Sequence, residues 1–364
     1  MKQFTQFLFL VLLSQAVLNL ANAEPVFSCC ATDDTHIGRP DEHAPISVMG
    51  DHTHRNGGWM VSYRYMYMDM DGMRRGNDRI SSSDVFDEAY AVAPESMTME
   101  MHMLGLMYGL SDKLTFTIMG NYTESEMEHR IISQAIANGI NAGATEFTTH
   151  TSGVGDVRLG GLYRFYIKEN RKAHFGLHFS LPTGSIDEKD RIPGMGGPSD
   201  QQLPAAMQLG SGTFDLLPSL TYVQQLNDWS YGIQGNAVIR LESENDNGYR
   251  IGNVFGTTAW TGYKLNNWLA LNTGLNYAHE GKLKGDQQGV SQNSMVGRSV
   301  TTAFGENYGG ERLDVIFGIN GYVPKGNFKD QRLAIDLRLP LWQDLNGLQL
   351  ETDLSLTIGW QAAF

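Results

Sequence analysis

Hydrophobic and polar residues alternate along most of this chain, in segments of about ten residues that end at turn-forming residues. An alternation of period two is typical of β-strands that have one apolar and one polar face. The segments are Trp59–Met70, Met97–Tyr108, Lys113–Thr123, Asp156–Tyr166, Lys172–Leu181, Thr213–Leu226, Trp229–Leu241, Gly252–Leu265, Trp268–Glu280, Glu311–Val323, Arg332–Trp342 and Leu348–Phe364. The pattern predicts an all-β fold of about twelve strands, each close to the ~9–11 residues that a tilted membrane strand needs.

The connections between these segments alternate between short and long. Short connections lie at 109–112, 167–171, 227–228, 266–267 and 324–330, and long ones at 71–96, 124–155, 182–212, 242–251 and 281–310. Residues 343–347 form the one short connection on the side of the long ones. Short turns at one end and long loops at the other are typical of outer-membrane barrels, with periplasmic turns and extracellular loops. We therefore expect a single transmembrane, antiparallel, up-and-down β-barrel in a bacterial outer membrane.

The first residues have the pattern of a secretory signal peptide. An apolar run is followed by Ala21 and Ala23, which stand at the two positions that a signal peptidase reads. After Ala23, no stretch of 18 apolar residues exists that could form a membrane-spanning helix. The sequence predicts three parts: a signal peptide at 1–23, a periplasmic segment with His and Cys residues at 24–57, and the outer-membrane barrel at 58–364.

Aromatic residues stand at the predicted boundaries between lipid and water. Trp229 and Trp268 follow short turns, and Trp360 lies near the end of the last segment. Such aromatic girdles flank the apolar band of outer-membrane barrels. The last segment ends at Phe364, which resembles the signal that the barrel-assembly machinery reads, so we expect that machinery and membrane lipid as partners. A soluble β-sandwich would explain the alternation, but not the aromatic placement and the loop asymmetry together.

Charge and composition exclude several classes of function. The formal net charge is −13, and 18% of the residues are charged, against about 25% in a typical soluble protein. We expect no nucleic-acid partner, because an acidic protein of this kind has no basic stripe to neutralise phosphates. Two cysteines exclude a disulfide scaffold. His174 and His178 share one strand face without a nucleophile motif, so we expect neither an enzyme nor a required cofactor.

Charged residues predict which face of a strand lines the lumen. An arginine on the lipid face costs roughly 2–4 kcal/mol at the bilayer midplane, so Arg64 is expected to face the lumen. The same argument predicts a lumenal stripe with Asp336 and Arg338, and we expect Glu100 to line the lumen as well. A charged interior implies water inside the barrel and a path for a solute.

Methionines are concentrated in one part of the chain. Of the 17 methionines, 13 lie between Met49 and Met127. On the first two predicted strands they alternate, at Met66, Met68, Met70, Met97, Met99, Met101 and Met103. Because these strands are antiparallel neighbours joined by an outer loop, both runs are expected to converge near the extracellular rim, with His102 close by.

Three interpretations of these methionines stay open. They can be lipid-facing or packing residues, and on the second strand they lie on the face opposite Glu100 and His102. Thioether and imidazole ligands suit Cu(I) or Ag(I), which predicts a soft-metal site. Its candidate ligands are Met66, Met68, Met70, Met97, Met99, Met101 and His102. Methionine is also a flexible apolar residue that accepts varied apolar ligands, which predicts an entry surface for small apolar solutes.

The segment before the barrel adds further metal donors. Residues 28–54 contain Cys29, Cys30, His36, His43, His52 and His54. No spacing there matches a tetrahedral zinc module, which needs two clusters of paired ligands. One interpretation is a free periplasmic tail. The other is a segment that captures a metal ion, with His52 and His54, beside Met49 and Asp51, as the best ligand pair.

Several motifs resemble one family of outer-membrane transporters, named for a phenol-degradation (MetA-like) pathway. They are Gly155–Tyr166, Leu181–Ser185, Met207–Asp215 and Pro218–Tyr222, in the middle third of the chain. The Met-rich stretches at 59–72 and 97–112, with residues 43–54, resemble a subgroup seen in metal-handling contexts. The family resemblance implies a barrel that passes small molecules, and it assigns no functional residues.

The sequence therefore predicts an outer-membrane channel or transporter for small solutes. Its Met-rich rim suggests a link to copper or another soft metal. A non-transporting metal-binding or structural barrel is one alternative, and an uptake barrel for small apolar or aromatic compounds is another. A conducting pore, or a lumen that is closed, would separate these alternatives.

Overall fold

The barrel is formed almost entirely by β-strands that follow each other along the chain. The computed structural model describes residues 39–133, 135, 145–194, 197–326 and 328–364. The elements are β1 (Trp59–Gly76), β2 (Asp78–Ile80), α1 (Ser82–Asp87), β3 (Tyr90–Gly109), β4 (Leu114–Ile131), β5 (Glu146–Val154), β6 (Val157–Lys168), β7 (Arg171–Leu181), β8 (Lys189–Ile192), β9 (Ser199–Gln202), β10 (Asp215–Leu226), β11 (Trp229–Arg240), β12 (Tyr249–Arg250), β13 (Val254–Lys264), β14 (Leu269–Glu280), β15 (Lys284–Gly285), β16 (Asn293–Ser294), β17 (Gly297–Val300), β18 (Gly310–Tyr322) and β19 (Gln331–Ala363). The predicted signal peptide, Cys29, Cys30 and His36 lie outside the described residues.

Eleven of these strands form one closed antiparallel sheet. Its order is β3, β1, β19, β18, β14, β13, β11, β10, β7, β6 and β4, and pairing of β4 with β3 closes the barrel. Long strand β19 has 33 residues. Its first arm pairs with β18 and its second arm pairs with β1. The two arms correspond to the two separate final strands of the prediction, so the predicted all-β, antiparallel, up-and-down barrel is confirmed.

The outer surface of the barrel carries a belt of exposed apolar side chains. Members of this belt on six different strands are Leu104, Phe116, Phe175, Leu220, Phe317 and Leu333. Trp229, Trp268 and Trp360 are also exposed, near the short turns. The strands thus place apolar side chains toward lipid and polar side chains toward the interior, as their alternation requires.

The barrel wall is taller on one side. Strands β1, β3 and β4 have 18, 20 and 18 residues, whereas the other barrel strands, apart from β19, have 11 to 13. Above Met119, β4 pairs with β5 instead of β6, so the wall continues beyond β6 and β7. The short pairs β8–β9, β12–β15 and β16–β17 belong to the long loops. These loops cover the outer end of the barrel.

Residues 39–58, which we call the inner segment, lie inside the barrel near its short turns. Arg64 of β1 donates a hydrogen bond to the carbonyl oxygen of Ile46 at 3.0 Å, and Arg332 of β19 donates one to that of Ala44 at 2.7 Å. Asp336 accepts hydrogen bonds from both the backbone and the hydroxyl group of Ser47. The expected free tail is therefore wrong for this part of 24–57, because the barrel wall binds its backbone.

No helix among the described residues is long and apolar enough to cross a membrane.

Candidate functional site: a methionine-lined path through the barrel

A central cavity of about 310 Å³ lies in the lumen beside the inner segment. Gly50, Asp51 and His52 of that segment form part of its wall, and Gln234 and Arg338 form another part. Four methionines also line this cavity: Met49, Met60, Met107 and Met119. The inner segment therefore forms the wall of this cavity toward the short turns, and the cavity combines polar groups with thioethers.

Above this cavity, methionines of β1 and β3 face each other in three cross-strand pairs. Met66 lies opposite Met101, Met68 opposite Met99, and Met70 opposite Met97. The three methionines of β1 share the parity of Arg64, whose side chain reaches the inner segment, so these pairs face the lumen. Directly opposite residues on one sheet face have Cβ atoms about 4.5–5.5 Å apart, so their side chains contact each other.

A second cavity, the outer pocket, lies among the extracellular loops above these pairs. It encloses about 400 Å³. Residues that line it include Met127, Ile131, Phe147, Leu203 and Met207. Met97, Met127, Leu203 and Met207 form one buried cluster, and Met70 and Met99 pack against it. The methionine pairs therefore lie between the outer pocket and the central cavity along one wall of the barrel, and they line neither cavity themselves.

Two polar atoms of the outer pocket have no hydrogen-bond partner among the described residues. They are Nδ1 of His129 and Oγ1 of Thr149. Both residues line the pocket, and they are 6% and 2% exposed. The His129 ring stacks on Phe147 at a centroid distance of 4.6 Å, which fixes its orientation. The pocket therefore offers an apolar volume with two hydrogen-bonding atoms in its wall.

Glu100 and His102 do not face the lumen. The Tyr65 hydroxyl group donates a hydrogen bond to Glu100 at 2.9 Å, and the Tyr63 hydroxyl group bonds with Nδ1 of His102 at 2.7 Å. These tyrosines lie on the outer face of β1, opposite in parity to Arg64. The expectation that Glu100 lines the lumen is therefore wrong, because its strand turns the methionines inward and the carboxylate outward.

The predicted soft-metal ligands consequently lie in three separate places. The six methionines line the lumen, His102 lies on the outer face, and His52 and His54 belong to the inner segment. The His52 and His54 rings are 5.0 Å apart. Methionines and histidines of that set therefore do not form one common coordination site, although each group can still bind a metal ion by itself.

Three other charged residues that the sequence assigned to the lumen do lie there. Arg64 is 6% exposed and Asp336 is 1% exposed, and both bind the inner segment. Arg338 lines the central cavity. Met73, which follows the three paired methionines on β1, does not join their row. It packs in a separate cluster with Val85 and Tyr90.

Sequence reasoning missed the loop residues that complete the outer pocket. Leu203 and Met207 belong to a loop whose backbone crosses the top of the barrel, and the alternation pattern gives no information about such a loop. The Gln208 side chain holds this loop by donating to the carbonyl oxygen of Leu203 at 2.7 Å and accepting from the backbone of Glu188 at 2.9 Å. The sequence Leu-Pro-Ala-Ala-Met at 203–207 is apolar but has no strand periodicity. An apolar stretch inside a long loop is the sequence signal that could have pointed to these pocket residues.

Comparisons with known proteins agree with this fold. A family model described as "Putative MetA-pathway of phenol degradation" matches residues 87–307, which is more than half of the chain. No curated protein sequence matches the chain. Among solved structures, the COG4313 outer membrane channel from Pseudomonas putida F1 matches with 18% identity and a TM-score of 0.58, covering 88% of this chain and 100% of that one.

More distant matches include a porin and a transporter. The NanC porin has 10% identity and a TM-score of 0.41, with 82% of this chain and 98% of that chain covered. The P. putida toluene transporter TodX has 11% identity and a TM-score of 0.42, with 85% and 91% covered. The fold is that of a bacterial outer-membrane channel.

Proposed function

Because this chain belongs to the outer-membrane family described as the MetA pathway of phenol degradation, we propose that it takes up small, largely apolar solutes. The solute enters the outer pocket, passes along the methionine pairs and reaches the central cavity. The observation that carries this proposal is the row of three methionine pairs that lies between the two cavities on the lumenal face of β1 and β3.

Methionine side chains suit such a path for a physical reason. They are unbranched, flexible and apolar, so they adapt their shape to different solutes without a fixed geometry. Transfer of apolar surface from water to an apolar wall is favourable by roughly 25 cal/mol per Å². Because several pairs follow one another, a solute that leaves one pair meets an equivalent surface at the next.

The outer pocket supports a solute with an aromatic ring and a hydroxyl group, such as a phenol. Its apolar walls include Met127, Phe147 and Leu203, which fit a ring. The unpartnered atoms of His129 and Thr149 can bind a hydroxyl group there. A ring without a hydroxyl group would leave these two buried atoms unsatisfied, and that is unfavourable by about 1–3 kcal/mol.

Binding measurements on the refolded protein in detergent test this proposal. We expect saturable binding of phenol, weaker binding of toluene and none of glucose in calorimetry. The substitutions Leu203→Asp and Met207→Asp, which place charge in the pocket, are expected to abolish binding. Leu241→Asp, at an exposed position away from the pocket, is the matched control. Equal binding by pocket and control variants would overturn the proposal, as would equal uptake of phenol by vesicles with and without the protein.

A soft-metal path is a second candidate, favoured by the three opposed thioether pairs. Thioethers suit Cu(I) and Ag(I), and two sulfur atoms of one pair can converge on a single ion. The test is Ag(I) binding by wild type and by a variant with Met66, Met68, Met99 and Met101 changed to Leu, which keeps volume and apolarity. Stoichiometric binding that the variant loses would support this candidate. Absent binding, together with unchanged copper content of cells that lack the protein, would reject it.

Measurements of conductance address the non-transporting alternative. A barrel that only binds metal or has a structural role would carry no solute-dependent current in planar bilayers. We expect open-channel conductance that phenol reduces reversibly, because a bound solute occupies the path.

A further inference from the structure

A side-chain cluster in the inner segment lies outside the outer pocket, where the solute is proposed to bind. His43, Asp51 and His52 bring one nitrogen or oxygen donor each to within 4.8 Å of one another. Nδ1 of His52 is 2.7 Å from Oδ1 of Asp51, and Nδ1 of His43 is 3.4 Å from Oδ2. Two donors of one tetrahedral Zn²⁺ ion, each at about 2.1 Å from it, lie roughly 3.5 Å apart, so a rotation of one imidazole ring is needed to bring the set together.

We propose that His43, Asp51 and His52 bind one divalent transition-metal ion of the Zn²⁺ class. Two imidazoles and one carboxylate are a donor set that suits this class rather than Mg²⁺ or Ca²⁺, which need oxygen ligands. The three ligands belong to one short stretch of chain, residues 43–52. An ion there ties the two ends of this stretch together inside the barrel.

The hydrogen bond of the His52 ring to Asp51 leaves one of its two nitrogen atoms unused. Nε2 of His52 is buried and has no partner among the described residues. The ring can therefore turn toward an ion without losing another hydrogen bond.

Two buried arginines, Arg64 and Arg332, interact electrostatically with the Asp51 carboxylate, but neither donates a hydrogen bond to it. Arg64 directs its Nε atom to the carbonyl oxygen of Ile46, and Arg332 binds Ala44, Asn320 and Gln361. Neither arginine forms an ion pair with Asp51 among the contacts of the described residues. Asp51 and His52 line the central cavity, so an ion and a coordinating water molecule can reach them from the lumen.

Metal binding by the full, refolded chain tests this inference, with ZnCl₂ as the probe. Cys29→Ser and Cys30→Ser are introduced throughout, since those thiols would bind zinc independently. We expect one Zn²⁺ per chain by calorimetry and by metal analysis after dialysis. The double variant His43→Gln/His52→Gln is expected to bind at least tenfold more weakly. The matched control is His150→Gln/His279→Gln, which removes two exposed histidines and is expected to bind like the parent protein.

A second variant and a spectrum keep the test independent of folding. Asp51→Asn preserves size and the hydrogen bond from the backbone of Ala44, and it should also weaken binding at least tenfold. Co²⁺ in place of Zn²⁺ is expected to give visible absorption bands that the ligand variants lose. Folding of each variant is checked by its heat-dependent migration in gels. Equal zinc affinity in the ligand and control variants, or no stoichiometric binding by the folded parent, would overturn the proposal. Phenol binding is measured separately at the outer pocket, so neither of these results would decide the proposed function.

Discussion

Met68 of β1 lies directly opposite Met99 of β3, on the face that lines the lumen. At the adjacent position of the same two strands, Tyr67 lies opposite Glu100, and both side chains face outward. One strand pair therefore carries an apolar, sulfur-containing surface inside and a polar surface outside. This inverts the usual arrangement of barrel strands at the height where the wall extends beyond the apolar belt.

Charge introduced into the methionine path is expected to block apolar solutes. In the variant Met68→Glu/Met99→Glu, two carboxylates hold water in the path, and uptake of a small apolar solute by vesicles is expected to fall at least tenfold. The control Met68→Leu/Met99→Leu keeps the apolar surface and should change uptake by less than about twofold. A similar loss in both variants would show that sulfur, and not apolarity, matters.

The His129 imidazole is expected to distinguish phenol from toluene. His129→Phe keeps the stacking on Phe147 but removes the unpartnered nitrogen atom, so phenol affinity is expected to fall about tenfold, equivalent to about 1.4 kcal/mol. Toluene affinity should stay the same or rise. His129→Gln, which restores a hydrogen-bonding group, should recover part of the phenol affinity. Calorimetry with both solutes measures the difference, and a parallel loss for both would contradict the assigned role.

The inner segment is expected to be fixed at Asp336. In a background without Cys29 and Cys30, the variant Ser47→Cys/Asp336→Cys should form a disulfide bond in high yield on mild oxidation, because these residues are hydrogen-bonded neighbours. The pair Ser47→Cys/Glu100→Cys should form none, since Glu100 lies on the outer face. Gel mobility with and without reductant measures the yield. Comparable cross-linking in both pairs would mean that the inner segment is not held inside the lumen.

Charge reversal should affect ion selectivity at Arg338 but not at Glu100. Arg338 lines the central cavity, so Arg338→Glu is expected to shift the reversal potential of a KCl gradient toward cation selectivity. Glu100→Arg changes charge by the same magnitude on the outer face and should leave the reversal potential unchanged. Planar-bilayer recordings of the two variants provide the comparison. A shift with Glu100→Arg alone would restore the original lumenal assignment of that residue.

The fold was accessible from the sequence because strand alternation and loop lengths are local properties. The face of Glu100 was not, since charge predicts the lumenal face only where the other face contacts lipid. At the height of Glu100 the outer face is polar, and the Tyr65 hydroxyl group satisfies the carboxylate there. Alternation placed the methionines of each strand on one face. On β1 they share the parity of Arg64, which indicates the lumen, whereas on β3 the charge of Glu100 pointed to the opposite face.

The location of the inner segment was inaccessible for a different reason. Its backbone binds residues that are far away in sequence, such as Ser47 with Asp336 and Ala44 with Arg332, and no periodic pattern encodes those contacts. The grouping of His43 with Asp51 and His52 depends on how that segment folds inside the barrel. The sequence identified His52 as a candidate ligand beside Asp51, but the grouping of both with His43 had to come from the structure. The proposed role of Phe364 in barrel assembly stays a prediction.

Strand β19 also has a consequence for how the protein reaches its folded state. Its two arms cover the edges of both β18 and β1, and Trp59 and Phe364 exchange backbone hydrogen bonds at 3.2 and 2.9 Å where the wall closes. Until these last residues arrive, two strands present free hydrogen-bonding edges, which are templates for aggregation. When β19 pairs with both strands, it therefore also removes the exposed edges through which the nascent sheet can aggregate.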